Sequence, residues 1–168
     1  NKDLVLQAGN GAIAISRAIG SSVHLSKKNG SGLQQWKFIS IDKADDSLNT
    51  YVSVSDGIYT ISCSGDKGKT LDIAGGSSEE KANADIYTAN SSNAQKFIIK
   101  SAGNGWYTIA SVQSGKLLEA SSLGTPDGAI VRQAKSSGNA SQKWRFILNL
   151  DGSYCIESAA GTYVLDAA

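Results

Sequence analysis

The chain has 168 residues, 18 of them Gly and one Pro, and its 16 Lys plus Arg nearly balance 15 Asp plus Glu for a formal charge of +1. That length fits one domain able to bury its own core, and the charge lacks the basic excess that marks a nucleic-acid binder. No apolar run approaches the roughly 18 residues of a membrane span, so no membrane insertion is expected. With no Met and with Asn1 at its start, the chain is expected to be a mature or excised piece of something longer.

In chain order, Asp3-Leu4-Val5-Leu6-Gln7 reads as a second strand lacking a first. Val23-His24-Leu25 follows, and Leu33-Gln34-Gln35-Trp36-Lys37-Phe38 ends this stretch on a Gln-x-aromatic signature. A longer linker carries Asp42, Asp45 and Asp46. It lacks the oxygen-ligand spacing of a calcium loop and reads as solvated acid. Gly57-Ile58-Tyr59-Thr60-Ile61 then opens a full series: Lys69-Thr70-Leu71-Asp72-Ile73-Ala74, Ala84-Asp85-Ile86-Tyr87 and Asn93-Ala94-Gln95-Lys96-Phe97. The series returns as Gly105-Trp106-Tyr107-Thr108-Ile109, Lys116-Leu117-Leu118-Glu119-Ala120, Ile130-Val131-Arg132-Gln133 and Ala140-Ser141-Gln142-Lys143-Trp144. The last stretches, Gly152-Ser153-Tyr154-Cys155-Ile156 and Tyr163-Val164-Leu165-Asp166-Ala167, repeat only its first two members.

Short Val- and Ile-rich runs separated by Gly, Ser and Asn, with no sustained helical period, predict strands throughout. The repetition predicts an all-β, closed, pseudo-threefold architecture of about twelve strands, because one such unit alone would leave an apolar face wet. The expected division is a single domain over 1–168: unit one about 1–48 completed by 152–168, unit two about 57–101, unit three about 105–148. Either terminal run could fill the second-strand place of unit one. In Gln-x-aromatic the two named side chains share a face. The ring fills the core and the amide satisfies backbone groups, so Gln34, Gln95 and Gln142 read as structural first.

Catalysis and metal binding find little footing. Cys63 and Cys155 are too few for a disulfide framework and read as unpaired apolar residues. His24 has no companion nucleophile or orienting group. Glu79-Glu80 are adjacent in a turn, whereas glycosidases set two carboxylates across a cleft. No zinc spacing or phosphate loop occurs, and no metal or cofactor is expected.

The residues Tyr-Thr-Ile, Leu-Asp-Ile-Ala-Gly-Gly, Ala-Asp-Ile-Tyr and Asn-Ala-Gln-Lys-Phe resemble the ricin-B-type β-trefoil lectin repeat, best over 57–101, well over 105–148 and loosely over 1–42. The resemblance implies a β-trefoil with up to three shallow sugar sites. On unit two it implies carbohydrate contacts from Asp72, Asp85, Tyr87, Asn93 and Gln95, with the Gly75-Gly76 turn lending a backbone amide. A carboxylate accepts charge-strengthened hydrogen bonds from vicinal hydroxyls, and the Tyr87 ring offers a flat apolar face. Ala94 departs from the family, which often has an amide there. Possible weaker sites involve Asp166, His24 and Asn29 in unit one, where Gln7 and Ser26 are the other occupants of the corresponding places. In unit three they involve Glu119, Asn139 and Gln142, where Ala134 replaces the ring and Arg132 stands nearby. The reading requires Asp72 and Tyr87 on one side of the molecule with neither buried.

The function this implies is a non-catalytic glycan-binding module, for galactose-type or related sugars, within a larger secreted or surface protein. A protein-interaction trefoil with decayed sugar sites is the alternative, and a small enzyme using Asp72 and Asp85 is a third possibility.

Overall fold

The computed structural model describes residues 21–40, 51–121, 128–149, 151–161 and 163–167, with backbone alone at 21–26, 33 and 36–40. Asp3–Gln7 and the Asp42, Asp45, Asp46 linker lie outside the described residues. Among those residues are twelve strands: β1 (Ser21–Lys27), β2 (Trp36–Ser40), β3 (Gly57–Cys63), β4 (Lys69–Ile73), β5 (Ala84–Thr88), β6 (Phe97–Gly103), β7 (Trp106–Ser111), β8 (Leu117–Ala120), β9 (Val131–Ala134), β10 (Trp144–Leu148), β11 (Tyr154–Ser158) and β12 (Tyr163–Ala167).

The strands follow from alternation. In β3, Tyr59, Ile61 and Cys63 are buried while Ile58, Thr60 and Ser62 are not, and β7 buries Tyr107, Ile109 and Ser111 in the same way. Turn chemistry joins them. Between β6 and β7 the two-residue loop Asn104-Gly105 has φ of 54° and 76°, the doubly left-handed pair that a tight hairpin needs and that Asn-Gly tolerates best.

Pairing closes a ring. β2 pairs with β3, β3 with β6, β6 with β7, β7 with β10, β10 with β11, and β11 with β2. This six-stranded barrel has no free edge. The hairpins β4–β5, β8–β9 and β12–β1 complete the fold, each joined to the first strand of its own set through β3–β4, β7–β8 and β11–β12. β1 thus takes its hairpin partner from the chain's end, His24 opposite Asp166. The architecture is a β-trefoil.

The core collects the inward residues of all three sets, among them Ile61, Leu71, Ile86, Phe97, Ile109, Leu118, Trp144, Phe146 and Leu165. Both cysteines are free and buried, and burial raises both thiols above their usual range. They act as small apolar residues.

Three short 3-10 turns, Gly32–Gln34, Asn93–Gln95 and Ala140–Gln142, precede β2, β6 and β10. Each ends in a buried glutamine with the same pair of bonds. The amide nitrogens of Gln34, Gln95 and Gln142 donate to the carbonyls of Lys27, Thr88 and Lys135 at 2.8, 3.0 and 2.8 Å. Their amide oxygens accept from the backbone N–H groups of Asn29, Asn90 and Ser137 at 2.7, 2.8 and 2.8 Å. A buried amide so placed satisfies two backbone groups that no ladder reaches.

Candidate functional site

The site on the second unit is built by the β4–β5 hairpin. Its register sets Asp72 opposite Asp85 and Thr70 opposite Tyr87. Strand alternation then puts these four side chains on one face, as the corners of a quadrilateral. The opposite face is core: Leu71, Ile73, Ala84 and Ile86 are wholly buried. Asp72 and Tyr87 therefore share a side of the molecule.

Their exposure differs. Tyr87 is 42% exposed, an open ring at the end of β5, whereas Asp72 is only 6% exposed. The requirement that neither be buried fails for Asp72, so Asp72 is not the open sugar contact expected of it, and Tyr87 and the half-buried Asp85 are what this face leaves accessible. The 3-10 turn Asn93–Gln95 packs over β4 and sets Gln95 beside the carboxylate, an arrangement that strand periodicity alone does not reveal. Asp85 is half-buried, and its Oδ1 is shut from solvent with no hydrogen-bond partner. Burial raises the Asp72 pKa, with the Gln95 amide acting the other way. Burial, then the neighbouring Asp72 charge, pushes Asp85 from 3.8 to about 6.

The sign of that shift gives a stability prediction. A raised carboxyl pKa favours the folded state below the unfolded value, and the benefit is lost as pH rises through the folded value. Asp85 is partly exposed, so solvent screening limits the effect to about 1–2 kcal/mol. Asp85→Asn is expected to be more stable than wild type by that amount at pH 7.5, with the gap closing by pH 4. Urea midpoints at both pH values check this; a gap independent of pH would show that Asp85 titrates normally.

The other candidates fall into place around the quadrilateral. Asn93 is exposed, and its Oδ1 accepts a long 3.4 Å bond from Lys96 Nζ. Gly75 is exposed with φ 65°, followed by Gly76 at 61°. This left-handed turn needs glycine and borders the site. Gln95, expected among the sugar contacts, is instead 1% exposed with its amide bonded to Asn90 and Thr88.

Hairpin registers align the three units. Asp72, Glu119 and Asp166 hold one place; opposite them stand Asp85, Arg132 and His24. The ring position of Tyr87 is Ala134 in unit three and Ser26 in unit one. In unit three Arg132 Nε and Nη2 both donate to Glu119 Oε1, at 3.2 and 3.0 Å, and Gln142 donates to Oε2 at 2.9 Å. Glu119 is thus bonded to both Arg132 and Gln142, and Ala134 leaves unit three without a ring at this place. Asn139 is no counterpart of Asn93 either: the matching 3-10 turns set Ala140 there. In unit one, Asn29 Oδ1 accepts from the N–H of Ser31 at 2.9 Å, a local turn bond matched by Asn90 and Ser92. Asp166 is half-buried; the side chain of His24 lies outside the described residues, as does Gln7.

Two features are absent from the sequence reading. Thr70, 3% exposed, completes the quadrilateral with Oγ1 unpartnered; its signal is its place two residues before Asp72. The loop beside the site is also held from unit three. Gln133 Nε2 donates to the carbonyls of Ser77 and Glu79 at 3.0 and 2.7 Å, and Gln113 and Lys116 donate to those of Gly76 and Ser78 at 2.8 and 2.6 Å. The loop from Gly76 to Glu79 is therefore tied to unit three by four side-chain bonds.

Among the described residues no group of three or more potential metal ligands occurs, and no helix is long and apolar enough to cross a membrane.

Comparisons with known proteins agree with this geometry. The family model for the ricin-type beta-trefoil lectin domain-like proteins matches residues 32–133 and 93–168. Flavastacin from Elizabethkingia meningoseptica is 30% identical over 118 residues, which are 70% of this chain and 26% of that protein, so the chain spans about a quarter of that relative. Among solved structures, the designed 3-fold symmetric protein ThreeFoil superposes with a TM-score of 0.67 at 28% identity, over 81% of this chain and 86% of that one. The exo-beta-1,3-galactanase 1,3Gal43A from Clostridium thermocellum superposes at 0.60 with 24% identity, over 80% and 31% of the two chains, a likeness of fold. The chain belongs to the ricin-type β-trefoil lectin-like family and is a carbohydrate-binding module of that general kind.

Proposed function

We propose that the second unit is the glycan-binding site of this module, taking galactose-type or related sugars without catalysing their turnover. The observation that carries this reading is the open Tyr87 ring on the same face as the Asp72–Asp85 pair, beside exposed Asn93 and the Gly75-Gly76 rim. Tyr87 supplies the apolar platform for a pyranose. Asp85 and Asn93 supply the accessible polar contacts, and Asp72 acts from beneath. A few hydrogen bonds of about 1 kcal/mol net each with one stacking contact give roughly millimolar to high-micromolar affinity, so tight attachment calls for clustered ligands or several modules.

In this reading units one and three contribute little, and the module serves as one part of a larger secreted or cell-surface protein. The family membership supports that context, as does the small share of flavastacin that the chain spans.

Tyr87→Ala is expected to weaken glycan binding at least tenfold while leaving the urea midpoint within about 0.5 kcal/mol, because an exposed side chain contributes little to folding. A glycan array on wild type and variant, followed by titration calorimetry, checks this. An unchanged array signal would remove Tyr87 from the site; silence of the wild-type protein on every glycan would remove the function itself.

A further inference from the structure

The three units share one hairpin register but not one charge pattern, and the difference specifies a ligand. In unit three the residue opposite Glu119 is Arg132, whose guanidinium lies on the carboxylate with side chains about 15% exposed. A cation therefore fits at this place in the fold, against a carboxylate that a signature glutamine also holds. Unit two keeps the carboxylate, Asp72, and keeps the glutamine, Gln95. Opposite Asp72, however, it sets a second carboxylate, Asp85. Among the described residues no basic side chain forms an ion pair with either.

Two further atoms on this face lack partners. Thr70 Oγ1 belongs to a side chain 3% exposed, next to Asp72 and opposite Tyr87, and makes no hydrogen bond. Asp85 Oδ1 is enclosed and makes none. Like charges directly across a strand pair are destabilising, and buried acceptors without donors are costly. Both costs are relieved by one group that carries positive charge and several N–H donors. An ammonium has three donors and no acceptor, and the adjoining Tyr87 face attracts cations as well. Calcium fits less well, since it takes six to eight oxygens.

We propose that the Asp72–Asp85 pair beside Tyr87 reads an ammonium group, so that the second unit prefers an amino sugar with a free amine over the neutral sugar of the same ring. The inference rests on the glycan-binding reading above and names the ligand class of that site. The ring stacks on Tyr87 while the amine meets the pair from the half-buried Asp85 side, with Asp72 adding its charge from beneath. Acetylation of the amine removes both its charge and two of its donors and abolishes the preference.

The test compares galactosamine with galactose and N-acetylgalactosamine, and glucosamine with glucose and N-acetylglucosamine, by titration against the whole chain at one fixed near-neutral pH and moderate salt. The expected result is at least tenfold tighter binding of each free amine than of its neutral and acetylated partners, and a ratio falling toward one in Asp85→Asn. That variant is isosteric and removes a repulsion, so its fold, checked by its urea transition, is expected to persist. Equal binding of amine and neutral sugars, or an amine preference unchanged in Asp85→Asn, overturns the inference while leaving the glycan site standing. Sugar binding that requires added calcium and vanishes with a chelator overturns it in favour of a metal bridge. Failure of all six sugars in wild type overturns this inference and the glycan-binding reading together.

Discussion

Trp144→Ala is expected to cost about 3–5 kcal/mol, the range for truncating a large aromatic in a packed core. Trp144 is wholly buried at the start of β10, at the junction where that strand meets both β7 and β11. Its indole N–H donates to the carbonyl of Leu118 at 3.2 Å, tying the barrel to the β8–β9 hairpin. Truncation opens a cavity where three strands meet and leaves that carbonyl without its donor, and both terms act against the fold. A domain of this size has only about 5–15 kcal/mol to lose. Trp144→Phe separates the two contributions. Phe97 occupies the equivalent place at the start of β6, also wholly buried, so the smaller ring is expected to cost only about 1–2 kcal/mol, mostly the lost hydrogen bond. Urea unfolding of the two variants gives both values. Equal costs would mean that the hydrogen bond, not the packing, holds this junction.

The same signature explains why the fold was legible in the sequence. Gln34, Gln95 and Gln142 each lie ten residues beyond their unit's residue at the hairpin position, His24, Asp85 or Arg132. Spacing and alternation are local, and the bonds that the three glutamine amides make to backbone groups reach only five to seven residues back. Sequence therefore carries them directly. The β12–β1 pairing was one of two possibilities left open, because two apolar runs fit one slot and no local pattern chooses between them.

The site was legible only in outline. The face shared by Asp72, Asp85 and Tyr87 follows from strand period. The covering of Asp72 does not, since it depends on how the Asn93–Gln95 turn folds back over β4. The rim held by Gln113, Lys116 and Gln133 escaped for a similar reason. Its bonds join residues 37 to 56 apart in sequence and end on backbone carbonyls, which carry no residue identity. Thr70 escaped because a threonine in a strand is ordinary until its hydroxyl is found buried and unpartnered.

Unit three supplies the second large effect. Glu119→Ala is expected to cost about 2–4 kcal/mol, because it strips the partner from Arg132 and from one N–H of Gln142 at a place where both charged side chains are about 15% exposed. Breaking a buried pair by removing one member costs about 3–5 kcal/mol when the remaining charge is fully enclosed; the residual exposure of Arg132 lowers that figure. Its Gln142 amide keeps the Lys135 and Ser137 bonds, so the β9–β10 connection is expected to persist and the loss to be electrostatic. The double variant Glu119→Ala with Arg132→Leu removes the stranded charge and replaces its stem with apolar volume. It is expected to recover at least half of the loss, as apolar replacements of buried pairs often do. Glycan affinity of the module is expected to stay within about twofold in both variants, since Ala134 gives unit three no ring to stack on. Urea midpoints and one titration per variant measure these effects. A double variant as unstable as the single one would mean that Glu119 acts through Gln142 and not through Arg132. A glycan affinity that fell with Glu119→Ala in a folded protein would place a working site on the third unit.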